Sequence, residues 1–120
     1  MDRKLILLNF CDACADGNLS LAKKLTVDYN LKIEDVQNHN NGAALRLACT
    51  NGNIIIARWL INVFCFTNDY VRLISYPLLN ELKFYDQKEI VQWLLDDYYT
   101  VETVLLLSKT PILIRVRESG

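Results

Sequence analysis

Apolar positions along the chain recur at helical spacing. Ile56, Trp59, Leu60 and Val63 stand at i, i+3, i+4 and i+7, a single stripe on one side of a helix, with Arg58 and Asn62 on the other. Ile90, Val91, Leu94 and Leu95 alternate with Gln92 and Asp96 in the same way. Trp59 and Trp93 lie inside these stripes, so both are expected in a core rather than on a ligand platform. At the other end, Met1 to Leu8 has a basic start and a short apolar run that Asn9, Cys11 and Asp12 interrupt before a signal-peptide core is complete. It reads as the first helix.

The pattern also repeats. Ala13-Cys14-Ala15-Asp16-Gly17-Asn18-Leu19 returns thirty-five positions later as Ala48-Cys49-Thr50-Asn51-Gly52-Asn53-Ile54. Ile-x-x-Trp-Leu at 56 to 60 returns at 90 to 94 after thirty-four. A period in this range marks one supersecondary unit piled on the next. Each unit reads as two short helices, the first stopped by Gly17 or Gly52, because glycine enters the left-handed cap conformation at little cost. Asp86 takes that place in the third unit, where a tighter or differently shaped turn is expected.

Between units run Asn30 to Val36, Phe66 to Val71 and Tyr99 to Val104, each with early acids suited to the unpaired N–H groups of a helical turn. Glu34, Asp35, Asp69 and Glu102 thereby acquire a structural role. Pro77 and Pro111 suit the first turns of the following helices. The expectation is an all-α chain forming one domain over 1–120. Its units cover roughly 3–38, 39–73 and 74–107, with a partial unit at 108–120, about three and a half in all.

Charge narrows the partners. Thirteen Lys and Arg against fourteen Asp and Glu leave no net field to hold nucleic acid or an anionic membrane. The longest apolar runs, such as Ile54 to Ala57 and Val63 to Phe66, fall far short of the roughly 18 residues that span a bilayer. Four cysteines include Cys11-x-x-Cys14, but only Cys49, Cys65 and the single His39 are left to complete a zinc site, without a second matching pair. Reduced thiols acting as small apolar groups are expected, in an intracellular, cytoplasmic setting. One histidine, no phosphate-cradling glycine loop and no nucleophile motif argue against an enzyme, and no cofactor is expected.

The stretch from Gly42 to Leu60, Gly-Ala-Ala-Leu-Arg-Leu-Ala-Cys-Thr-Asn-Gly-Asn-Ile-Ile-Ile-Ala-Arg-Trp-Leu, resembles the ankyrin repeat, and Thr110-Pro111-Ile112 looks like the start of another copy. The acid-containing linkers replace that family's Gly-Ala-Asp-Val-Asn turn and are similar to divergent long-linker repeats of protists and giant DNA viruses. A viral origin would place the chain in host cytoplasm. The resemblance implies an ankyrin-like solenoid, a protein-binding module without cofactor, whose first helices line a concave face. Carried onto this chain, the exposed concave positions are Arg46, Thr50 and Asn51, with Cys11, Ala15 and Asp16 in the first unit and Asn80, Phe84 and Tyr85 in the third. Arg46, Thr50, Asn51, Asn80, Phe84 and Tyr85 form the expected partner-binding strip, Phe84 and Tyr85 being anchor-type aromatics. The alternative for that pair is that they fold over the third turn. His39, Asn40 and Asn41 are secondary candidates or simply a solvated loop. A second expectation is a homodimer through residues 104–116, where the last helix is apolar on more than one face.

Overall fold

The computed structural model describes residues 2–84 and 87–100, without the side chains of Asn80, Lys83 and Phe84. Helices α1 (Arg3–Asp16), α2 (Leu19–Asp28), α3 (Ile33–Asn38), α4 (Ala43–Thr50), α5 (Ile54–Val63) and α6 (Asn68–Ser75) follow one another. A 3-10 turn (Tyr76–Leu78) then leads into α7 (Leu79–Phe84) and α8 (Lys88–Tyr98). No strand occurs among the described residues, which are all-α. Helices α1 and α2, α4 and α5, and α7 and α8 pack as pairs, while α1 lies on α4 and α6 touches both α4 and α8. The molecule measures 47 × 24 × 24 Å.

Three pairs of identically repeated residues form the packing seam. Ala13 and Ala48, Cys14 and Cys49, and Ala22 and Ala57 are all at most 2 % exposed, and their small side chains let the helices come close. Larger side chains fill the space on either side, with Phe10, Leu45, Ile56, Leu60, Leu79, Leu82, Ile90 and Leu94 fully buried. An aromatic run ties the layers together: Phe10 of α1 meets Trp59 and Phe64, Phe64 stacks on Phe66, and Phe66 meets Tyr70 at 4.7 Å between ring centres. Trp93 is buried and Trp59 half-buried. In α5 the buried edge is Ile56, Ala57, Leu60 and Ile61, so Val63, expected in the stripe, is 45 % exposed. Seating Ala57 in the seam rotates the helix and turns Val63 outward.

The first two turns have the same construction. Gly17 and Gly52 adopt φ of 77° and 73°. Asn18 donates its backbone N–H to the Ala13 carbonyl at 2.8 Å, as Asn53 does to Ala48 at 2.8 Å, closing the six-residue ring of a Schellman cap. Gln87 makes the equivalent bond to Leu82 at 2.9 Å, so the third turn keeps this closure; Asp86 itself lies outside the described residues.

One residue type does two jobs here. The Asn18 side chain caps its own helix by accepting from Leu21 N–H. Asn53 has a preceding unit beneath it, and its Nδ2 reaches across to donate to the Cys14 and Ala15 carbonyls, both at 2.9 Å. Those carbonyls belong to the last turn of α1, where intrahelical donors run out. Gln87 stands over Gly52 in turn, so closely that a Cβ on Gly52 would sit 2.5 Å from its Oε1.

The linkers form α3 and α6 as expected. Asp35 accepts from Lys32 N–H at 2.9 Å, and Thr67 caps α6 by accepting from Tyr70 N–H at 3.1 Å. Arg3 also binds Asp35 at 2.8 Å, and this contact holds the carboxyl below the usual aspartate range. The guanidinium of Arg3 donates to the Tyr29 carbonyl at 2.8 Å, and that of Arg72 to the Tyr98 carbonyl at 3.1 Å. Donors and acceptors are offset alike, by 69 positions (72 − 3 and 98 − 29), so the same tie closes the second helix in the first and third pairs.

Replacing Asn53 by Ala is expected to cost about 1–3 kcal/mol, the range for leaving part-buried carbonyls without their donor. Asn18→Ala, which removes an exposed cap, should cost about 1 kcal/mol. Urea unfolding of the two variants checks the order.

Candidate functional site

Two connections of unlike shape open a groove. Between α3 and α4 the chain passes through three consecutive left-handed residues, Asn40 (φ 48°), Asn41 (φ 55°) and Gly42 (φ 71°). Asparagine tolerates this region better than most residues and glycine enters it freely. Gly42 also has no room for a side chain, since a Cβ there would lie 2.6 Å from both Ile74 Cδ1 and the Tyr70 hydroxyl. The absence of a side chain lets α6 lie against the start of α4. Between α6 and α7, by contrast, the backbone stays right-handed, with Ser75, Tyr76 and Leu79 all in the helical region and Pro77 accommodated in the 3-10 turn.

The resulting groove has a volume of about 670 Å³. Gln37, Asn38 and Asn41 form one wall, Leu73, Ile74, Pro77 and Leu78 the other, and Arg46 and Tyr70 complete the lining. Arg46 is the single charged side chain on it among the described residues. Its Nη2 donates to the Asn40 carbonyl at 3.2 Å, and no carboxylate among the described residues lies within ion-pair distance. Leu73 presents its side chain at 68 % exposure. The Tyr70 hydroxyl is buried and has no hydrogen-bond partner among the described residues, and burial pushes its pKa up to about 12. Amides, an apolar wall and a lone cation suit recognition of an apolar residue beside a carboxylate. Among the described residues no group of three or more His, Cys, Asp or Glu converges as metal ligands would.

Of the residues expected on a partner-binding strip, Arg46 lies on this groove. Thr50 and Asn51 sit farther along α4 and its cap, with side chains given to the helix's own carbonyls, Thr50 to Arg46 and Asn51 to Leu47, each at 2.8 Å. Asn80 and Phe84 belong to α7, but their side chains, like the whole of Tyr85, lie outside the described residues, as does the dimer segment 104–116. Cys11, expected to be exposed, is 3 % exposed, because the first helix turns that position toward the seam. Asn41, a secondary candidate, lines the groove, and Asn40 anchors Arg46. Sequence reasoning missed Tyr70, Leu73 and Ile74. The available signal was Leu73 itself, an apolar residue on a linker read only for its caps.

No family model, curated protein or solved structure matches the chain. No helix among the described residues is long and apolar enough to cross a membrane.

The thiols divide by environment. Cys11, Cys14 and Cys49 are buried, Cys65 is exposed, and none is bonded to another. Burial raises Cys14 and Cys49 from 9.0 to about 12; burial, with Asp12 adding, raises Cys11 to about 11. Protonated and covered, the three are poor nucleophiles. Native protein treated with a maleimide is therefore expected to label at Cys65 alone, the others following only on unfolding, as peptide mass mapping would show. A group whose folded pKa is raised favours folding below its unfolded pKa and loses that contribution as pH climbs to the folded value. Stability is thus expected to decline between pH 9 and 12, and the Cys14→Ala, Cys49→Ala double variant should show a shallower decline in denaturant titrations at each pH.

Proposed function

We propose that the chain is a non-enzymatic protein-interaction module, an ankyrin-like stack of helix pairs that docks an extended segment of a protein partner in the groove beside Arg46. The repeated Schellman turns at Gly17 and Gly52, the buried Ala-Cys seam and the recurring arginine ties support a layered reading of the helix pairs. The observation that carries the function is that the lone guanidinium of Arg46 and an exposed leucine, Leu73, line one groove together with amide side chains. An unmatched cation next to apolar surface is an interface anchor when a partner supplies the acid. The occupant is accordingly a segment with Asp or Glu beside a large apolar side chain. Unpaired thiols, three of them covered and Cys65 exposed, suit a reducing compartment such as the cytoplasm.

A peptide array that varies acidic and apolar residues independently tests this reading. Binding should require both features together. Arg46→Glu is expected to weaken capture of the selected peptides by about tenfold or more, the cost of reversing one partner of a desolvated charge pair, and Leu73→Asp to act similarly. Equal capture by Arg46→Glu, with an unchanged thermal unfolding curve, would overturn the groove as the docking surface.

A further inference from the structure

The chain contains two Asn-Gly pairs, Asn41-Gly42 and Asn51-Gly52, in opposite situations. Asn51 ends α4 with its carboxamide donating to the Leu47 carbonyl at 2.8 Å, and the Gly52 N–H is held by the Cys49 carbonyl at 3.0 Å. Both groups that deamidation would bring together are tied to the helix. Asn41 is exposed, and neither its carboxamide nor the Gly42 N–H makes a hydrogen bond among the described residues. It sits in the middle of the left-handed run, where conformational strain is concentrated.

We infer that Asn41 is a site of spontaneous deamidation, a covalent modification of the groove wall that needs only water. The Gly42 amide nitrogen gives up its proton to solvent base and attacks Asn41 Cγ. The new N–C bond closes a five-membered imide, and the Cγ–Nδ2 bond breaks, releasing ammonia with a proton taken from solvent. Water then opens the imide at either carbonyl. One opening gives aspartate; the other gives isoaspartate, in which the main chain runs through the former side-chain carboxyl. Either product places a carboxylate on the groove that Arg46 lines. Isoaspartate also lengthens the backbone by one carbon immediately before Gly42, the residue that must fit beneath Tyr70 and Ile74.

The inference does not depend on what the groove binds. Its test is to age the purified 120-residue chain at mildly alkaline pH, both native and in guanidinium, and to quantify amide-to-acid conversion at 41 and 51 by peptide mass spectrometry. In the native chain Asn41 is expected to convert about tenfold faster than Asn51 or more, since a held site reacts only through local opening. In denaturant the two rates should converge. Asn41→Gln should remove the early acidic species seen on isoelectric focusing. Native conversion at Asn41 no faster than at Asn51, or acidic species persisting unchanged in Asn41→Gln, would overturn the assignment.

Discussion

The last turn of α1 ends in carbonyls that its own turn serves poorly, Cys14 accepting only a long bond from Gly17 N–H at 3.4 Å, and Asn53, from the next helix pair, supplies a bond to Cys14 and another to Ala15. This crossing fixes one pair against the next more specifically than apolar contact does, because a hydrogen bond has direction and burial does not. It also depends on Gly17, whose left-handed turn brings the chain round and whose missing Cβ leaves the Asn53 carboxamide room: a Cβ there would come 3.3 Å from Oδ1. The small residues behind it, Ala13 and Ala48 with Cys14 and Cys49, bring α1 and α4 close enough for that reach.

Much of this was legible in the chain because it obeys local rules. Gly17 and Gly52 announce left-handed caps, the Ala-Cys pairs recur where a seam must be thin, and the acid-led linkers form α3 and α6. What escaped depends on relations between elements. The same asparagine caps its helix at 18 and bridges pairs at 53, a difference set by whether another pair lies beneath it. The rotation of α5 that exposes Val63 follows from seating Ala57, and helical spacing alone leaves the stripe's edges undefined. The groove was hardest to foresee, because its walls come from linker residues whose outward faces no cap or period describes.

The two linkers illustrate how a near-repeat generates a singular site. Into α4 the chain swings through Asn40, Asn41 and Gly42 in the left-handed region; into α7 it continues almost as one helix through Pro77. Had both connections taken one form, α6 would meet the start of α7 as α3 meets that of α4, and no unequal walls would arise. Gly42 allows the difference, since a Cβ there would press on Tyr70 and Ile74 at 2.6 Å and its residue would have to adopt a left-handed φ of 71°.

The chemistry of Asn41 follows from which end of a helix it occupies. A helix C-terminus offers unpaired carbonyls, so a carboxamide there, as at Asn51, finds an acceptor at once and its neighbouring N–H closes the cap. A helix N-terminus offers unpaired N–H groups instead, and the Nδ2 of Asn41, unlike that of Asn53 with its carbonyls from α1, meets no acceptor among the described residues. The left-handed run compounds this by turning the residue outward onto the groove. The conformation that opens the groove therefore also leaves its wall chemically unprotected, and restraining Asn41 would require an acceptor within the space the groove provides.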